Sequence, residues 1–414
     1  MPWKVSDVME QRFRLVERWQ ESGESIAELA RRFAISRKTA YKWLERYELG
    51  GLEGLQDRSR RPLVQAGRTP QALEQWVVDL RHTHPSWGPR KLRAWLERRM
   101  PELRWPAEST LGLILDRHGL SSRRKQRRRR ATPSTQPLAT AVAANQVWAI
   151  DFKGWFACGD GRRCDPLTVS DAATRYLLCC QAVPVGDTQT VQSQLTEVFR
   201  RYGLPERMRS DNGAPFASTG VGGLSRLSVW WVKLGILPER IEPGEPQQNG
   251  RHERMHRTLK AETAAPPARN VAEQQQRFDE FTRIYNGERP HEALDGDTPA
   301  DHYESSSRGF PEALAEVDYP AGLHLRKADQ DGKIRWKQAR CRVGSALAHE
   351  VVGIEELDDG VSRVWFGPLL LGLLDEREGY SNARKKGFSH WPPLQSPSGL
   401  LARRPVTMQD QEEV

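Results

Sequence analysis

No run in this 414-residue sequence approaches the roughly 18 apolar residues of a membrane-spanning helix, so no such helix is expected. The opening residues, MPWKVSDVMEQRFR, lack the apolar stretch of a secretory signal. Cysteine is scarce: Cys158, Cys164, Cys179, Cys180 and Cys341 form no CxxC pair, and five is an odd number. That count argues against a disulfide framework, and the expected compartment is the cytoplasm.

Positive charge is plentiful, and it is unevenly placed. The net charge is +9, with 37% hydrophobic and 28% charged residues, an ordinary globular balance. Residues 1–135 hold 29 Lys/Arg against 16 Asp/Glu, whereas the remaining 279 hold 34 against 38. All the positive excess thus lies in the first third, which suggests a polyanion-binding front end on a near-neutral body. The length fits two to four domains.

Residues 1–50 read as three helices. The first, from about Asp7 to Gln20, carries Val8, Phe13, Val16 and Trp19 at roughly helical spacing. Ser25 is placed to cap SIAELARRF, and Ser36 to cap SRKTAYKWLERY after a short turn. Two short capped helices joined in this way form a helix-turn-helix pattern. Its second helix offers Arg37, Lys38, Thr39 and Lys42 for phosphate and base-edge contacts in a DNA major groove. A linker is expected over 51–69. A second helix-turn-helix or winged helical module is expected over 70–120, and a basic linker over 121–144. Seven of the ten residues at 121–130 are Lys or Arg. Arg127 and Arg128 in that run are expected to track DNA phosphates, with salt-sensitive affinity.

From 145 the texture changes. NQVWAIDFKGWFA, CDPLTVSDA and RYLLCCQAVP are short β-rich runs separated by turn residues. An amphipathic helix, a strand ending at ERMRSDNG, a helical stretch, the strand ILPERIE and the helix QNGRHERMHRTLKAE follow. That order over 145–305 predicts a mixed sheet flanked by helices, the ribonuclease-H-like plan. A linker and small β-barrel are expected over 306–376, and a disordered tail over 377–414. The expected fold class is therefore multidomain: all-α modules first, an α/β ribonuclease-H-like core, then the barrel.

Three carboxylates stand at telling places. Asp151 follows the apolar strand VWAI, Asp211 follows MRS before the turn NGAPF, and Glu253 lies in the first turns of a helix. Converging at one end of the sheet, they would suit hard cations, Mg²⁺ or Mn²⁺, in a two-metal site for phosphodiester exchange. Asn249, Arg257 and Lys260, at i−4, i+4 and i+7 from Glu253, would share its helix face beside DNA. A competing pattern overlaps: HERMH at 252–256 matches the HExxH of zinc proteases. Arg251, Arg254 and Arg257 on that helix argue against a buried zinc helix, because burying unpaired cations is costly. A third reading is a DNA-binding regulator with an inactive nuclease-like domain.

VWAIDFKG, VSDAATRY, RSDNGAPF, PGEPQQNGRHERMHRTLKAE and YNGERPHEALDGDTPADHY together resemble bacterial insertion-sequence transposases with a retroviral-integrase-type catalytic domain. The resemblance runs from about 145 to 303. It implies that Asp151, Asp211 and Glu253 form the DDE triad, and that Asn249, Arg257 and Lys260 are DNA-contacting positions. It also implies double-stranded DNA as partner and a dimer or higher homo-oligomer that handles two element ends together. The 41 residues between Asp211 and Glu253 exceed the retroviral spacing. The retroviral N-terminal His/Cys zinc module has no counterpart here.

Overall fold

The structure is a computed structural model. It describes residues 8–57, 69–121, 138–183, 187–218, 223–242, 246–337, 339–357, 360–375 and 379–382. The chain divides into two compact units, residues 1–69 and 70–414. No helix among the described residues is long and apolar enough to cross a membrane. Arg127 and Arg128 lie outside the described residues, as does the tail beyond 382.

In the first unit α1 (Val8–Ser22), α2 (Ile26–Arg32) and α3 (Arg37–Gly54) pack around Leu15, Val16, Leu29, Ala40, Trp43, Leu44 and Leu55. The buried face of α1 differs from the expected one: Val8 and Phe13 are exposed, while Leu15 and Val16 are buried. Arg12 explains the shift. It lies 3.7 Å over the Trp43 ring and donates to the Leu55 carbonyl at 2.8 Å, so the face runs through Arg12, Leu15, Val16 and Trp19. Ser36 caps as expected, accepting from the Thr39 backbone N–H at 3.1 Å; at the N-cap Ser25 it is the Glu28 carboxylate that accepts, from the Ser25 backbone N–H at 3.0 Å and from its hydroxyl at 2.9 Å. Gly51 breaks α3 at φ +56°, a backbone region open chiefly to glycine. The chain nevertheless stays with the bundle, because Leu55 is fully buried. The linker expected from residue 51 therefore begins with core-forming residues.

The second unit opens with α4 (Gln71–Thr83), α5 (Pro89–Arg99) and α6 (Glu108–Arg117), built on Val77, Trp87, Leu92, Leu96, Leu111 and Ile114. The central domain follows: β1 (Val147–Phe152), β2 (Phe156–Ala157), β3 (Arg163–Asp171), β4 (Leu177–Val183), α7 (Thr188–Tyr202), β5 (Arg207–Ser210), α8 (Arg226–Lys233), β6 (Leu237–Arg240), α9 (Gly250–Thr263), α10 (Val271–Gly287) and α11 (Pro299–His302). The sheet runs β2-β3-β1-β5-β6, and β4 also pairs with β3. β1 pairs antiparallel with β3 and parallel with β5, and β5 pairs parallel with β6. This is the mixed, ribonuclease-H-like sheet that the run order predicts. Its two faces are covered separately. α7 and α8 bury Leu195, Phe199, Trp230 and Trp231 on one, while α9 and α10 bury Met255, Leu259, Phe278 and Phe281 against the other.

The helical module is docked on this domain. Ile284 of α10 packs against its core. Its cations meet central-domain acceptors: Arg98 pairs with Asp301, Arg90 with Glu292, and the Lys91 ammonium donates to the Pro290 carbonyl at 2.8 Å. Burial holds the Lys91 ammonium down at about 8.

The C-terminal part contains β7 (His324–Lys327), β8 (Lys333–Trp336), β9 (Ala339–Arg342), β10 (Val351–Glu356), β11 (Val361–Phe366), β12 (Leu369–Asp375) and β13 (Gly379–Asn382). The expected barrel is not closed among the described residues. Five strands form an open antiparallel sheet, β13-β12-β11-β10-β7, and β8-β9 form a separate hairpin. One reason is packing: Val229 and Val232 of α8 join the core of this part, so a helix from the central domain covers apolar surface that closure would otherwise bury. β13 falls within 377–414, where the sequence predicts no core. Backbone pairing with β12 places it, and GYSN offers no alternation to read.

Candidate active site

The apolar residues of β1 bury Val147–Ile150 and leave Asp151 at the point where the strand leaves the core. Asp151 sits opposite Thr168 of β3 in the antiparallel register. Asp211 follows the last residue of β5, the parallel neighbour of β1, and Gly213 N–H donates to its Oδ1 at 3.1 Å. A Cβ on Gly213 would come 3.0 Å from Asp211 Oδ2, so the turn after β5 accepts a larger residue only with adjustment. α9 buries His252, Met255, His256, Leu259 and Thr263, and this leaves Glu253 exposed on another face.

A cleft of about 500 Å³ is lined by Asp151, Lys153, Glu253, His256, Arg257 and Lys260. Four of the expected residues therefore share one surface. Asp211 does not line it, but its charge acts on Asp151. Asn249 is set apart: it is buried at the start of α9 and lines a different cavity with Ser170 and Arg175. The entry into α9 explains this, because Asn249 ends the 3₁₀ turn Pro246–Asn249 and does not lie on the α-helical face of Glu253. Lys153 lines the cleft as well, and its only sequence signal is its place two residues after Asp151.

Burial raises the Asp151 carboxyl to about 7, and the charges of Asp211 and Glu253 push in the same direction, against Lys153. Two further carboxylates, one from a strand end and one from a helix, thus act on a single half-buried acid. Among the described residues, no three His, Cys, Asp or Glu side chains converge closely enough to hold a metal ion. Asp151 and Glu253 nonetheless offer anionic oxygens to the cleft, which would suit Mg²⁺ or Mn²⁺ and not a thiolate-seeking metal.

The histidines of HERMH point inward. His252 Nδ1 lies 2.7 Å from Ser170 Oγ, and His252 Nε2 lies 2.8 Å from Thr168 Oγ1. His256 Nε2 is 2.6 Å from the same hydroxyl, which donates to the Asp151 carbonyl at 3.1 Å. One proton arrangement satisfies all four contacts. Both imidazoles donate from Nε2 to Thr168, and Ser170 donates to His252 Nδ1. Both rings are then neutral, and burial lowers them to about 3 for His252 and about 2 for His256. Their engagement with hydroxyls leaves no pair of free imidazole nitrogens for zinc. Nothing in the sequence singles out Thr168 or Ser170 as their partners.

Asp171 of VSDAATRY supports a turn. Its Oδ1 accepts from Ala173 N–H at 3.0 Å, Thr174 N–H at 2.7 Å and the Thr174 hydroxyl at 2.8 Å, and its Oδ2 from Asn145 N–H at 2.8 Å. In the first unit Arg37, Lys38 and Lys42 are exposed on α3 or at its start. Thr39 is engaged differently: its hydroxyl lies 2.8 Å from Ser36 Oγ, so it belongs to the helix cap.

The integrase core domain family matches residues 141–246, and a second integrase core domain family matches 234–299. A helix-turn-helix domain family matches 11–62, and a homeodomain-like family matches 39–115. The central domain is thus similar to integrase core domains. An uncharacterized 39.2 kDa protein of insertion element IS476 from Xanthomonas euvesicatoria is 28% identical over 298 residues, 69% of this chain and 80% of that protein. An uncharacterized 31.7 kDa protein of insertion element IS407 from Burkholderia multivorans is 27% identical over 260 residues, 61% of this chain and 86% of that protein. Among solved structures, the HTLV-2 integrase catalytic core domain in complex with magnesium matches at 12% identity and a TM-score of 0.32, over 40% of this chain and 100% of that one. A simian T-cell lymphotropic virus intasome chain matches at 15% identity and a TM-score of 0.35, over 71% of this chain and 97% of that one. Over these stretches the chain resembles bacterial insertion-element proteins and carries the matches of an integrase-core transposase.

Proposed function

We propose that this protein binds the ends of a mobile element and catalyses metal-dependent DNA cleavage and strand transfer, with Asp151, Asp211 and Glu253 as the metal-holding triad. The observation that carries this reading is the cleft itself, which brings Asp151 and Glu253 together with Arg257 and Lys260, while the charge of Asp211 acts on Asp151. Bound there, Mg²⁺ or Mn²⁺ would activate a water or a 3′-hydroxyl and stabilise the leaving oxygen of the phosphodiester. Arg257 and Lys260 hold the DNA backbone against the carboxylates, and Lys153 offers a third cation in the cleft. Arg37, Lys38 and Lys42 read the element end, and Arg127 and Arg128 in the basic run add salt-sensitive affinity. Asn249, set apart from the cleft, lines a second cavity at the start of α9. Two ends are joined in one event, so the working form is a dimer or larger assembly on DNA.

The test is a strand-transfer assay on labelled element ends with Mg²⁺ or Mn²⁺, comparing the wild type with Glu253→Gln. Joined products from the wild type, absent from the variant with end binding intact, support the reading. Equal activity in both removes Glu253 from the site. Specific binding without product from either favours a DNA-binding regulator.

A further inference from the structure

A second cavity, of about 200 Å³, opens at the start of α9, away from the carboxylate cleft. Two residues along an α-helix turn about 200°, so Arg251 and Glu253 face nearly opposite ways. The cavity is lined by Ser170, Arg175, Arg209, Asn249, Arg251 and Tyr285, among others. Cations outnumber carboxylates there: Arg175, Arg209 and Arg251 line it beside Asp171, whose charge favours Arg175. Arg209 is neutralised by Glu239 at 2.7 Å. Arg175 and Arg251, and Arg254 whose charge acts on both, form no ion pair with any carboxylate among the described residues.

Their hydrogen bonds go elsewhere. Arg251 donates to the Ala172 carbonyl at 2.7 Å, and Arg254 to the Gly250 carbonyl at 3.2 Å. Arg175 Nε is buried and finds no partner among the described residues. Asp171 borders the cavity, yet its two oxygens already accept four hydrogen bonds within its own turn and from Asn145. Burial and the repulsion of Arg251 and Arg254 lower Arg175 to about 10, so the cluster is costly to assemble without an anion. The start of a 14-residue helix adds positive field at the same place. Guanidinium forks match the geometry of phosphate oxygens. Residues 138–141, at the rim, follow in sequence the basic run of 121–130.

We propose that this cavity binds a phosphate of the DNA backbone through Arg175 and Arg251, with Arg254 adding its charge from outside the lining, at a site separate from the Asp151–Glu253 cleft. The assignment to DNA rests on the function proposed above. A duplex held in the cleft would thereby be gripped on two sides of α9.

The test measures the affinity of the full chain for a labelled DNA duplex across a range of salt concentrations. It compares the wild type with Arg251→Gln, Arg254→Gln and Arg175→Asn, the last chosen because residue 175 has φ +70° and Asn tolerates that region. Arg200→Gln, on the far helix α7, controls for net charge. Each of the three should weaken binding about 3- to 10-fold and reduce the salt slope by about one, with the control unchanged. Inorganic phosphate, compared with chloride at equal ionic strength, should raise the thermal midpoint of the wild type and not that of folded Arg251→Gln. Unchanged DNA binding with a lost phosphate response would overturn the DNA assignment and leave a site for free phosphate. Loss of neither overturns the site. If the wild type shows the phosphate response but binds no DNA, the proposed function fails while the anion site stands.

Discussion

Thr168 Oγ1 lies 2.6 Å from His256 Nε2, and through this hydroxyl the helix of Glu253 is tied to the strand beside Asp151. The same oxygen meets His252 and the Asp151 carbonyl. Thr168→Val keeps the shape and removes the hydroxyl, leaving two buried imidazole N–H groups without an acceptor. We expect a loss of about 2–3 kcal/mol in urea unfolding, whereas Thr168→Ser should stay close to wild type. Strand joining measured well below the unfolding midpoint should fall in the Val variant and persist in the Ser variant. Equal stability of all three proteins would mean that the hydroxyl does not hold the helix.

The raised Asp151 carboxyl gives a pH prediction with a definite sign. Its native value is about 7 and its ordinary value 3.8, so between these limits the folded protein binds the extra proton. Without metal, stability should therefore fall as pH rises from about 4 to 7, by at most roughly 4 kcal/mol. Unfolding in EDTA at pH 4.5 and pH 8 measures it, and Asp151→Asn should reduce the difference. Mg²⁺ should raise the thermal midpoint at pH 8 and have little effect at pH 4.5. A pH dependence identical in wild type and Asp151→Asn would remove this residue as its source.

Arg37 and Lys38 differ from Thr39 in what they are free to do. Both cations are exposed, whereas the Thr39 hydroxyl is engaged with Ser36. Arg37→Ala and Lys38→Ala should each weaken DNA binding and lower its salt slope by about one without changing stability. Ser36→Ala should instead cost about 1 kcal/mol of stability by removing the cap. Titrations of a labelled duplex and thermal melts separate the two effects, and a Lys38→Ala protein with wild-type salt dependence would take α3 out of the DNA interface.

Asp301 serves two neighbours at once. It pairs with Arg98 of α5 and accepts from the Thr298 backbone N–H at 2.8 Å, capping α11. Asp301→Ala should destabilise by about 1–2 kcal/mol and increase amide exchange across residues 71–117. Exchange there that matches wild type would show that apolar packing alone holds the module in place.

The central sheet is legible in the sequence because buried strands leave apolar runs and their ends carry polar residues, as at Ile150–Asp151 and Ser210–Asp211. Helix α9 is legible for its period: His252, Met255, His256 and Leu259 repeat on one face. The same period misplaces Asn249, since a 3₁₀ turn before the helix breaks the spacing. The histidine partners are not legible. Thr168 lies 84 residues from His252, and only the sheet register brings it there. The docking of the helical module is hidden for the same reason: basic residues on α5 read equally well as DNA contacts until their acceptors, about 200 residues away, are in view. The barrel expectation fails because strand patterning does not record that α8 supplies part of the core.

The faces of α9 meet different surroundings. His252 and His256 lock into the sheet, Glu253, Arg257 and Lys260 face the cleft, and Arg251 borders the arginine cavity. One residue inserted or deleted inside 250–263 would rotate everything after it by about 100° and send each side chain to the wrong neighbour. The chain can therefore change length only before Gly250 or beyond Thr263. Helix α9 is thus fixed to the residue.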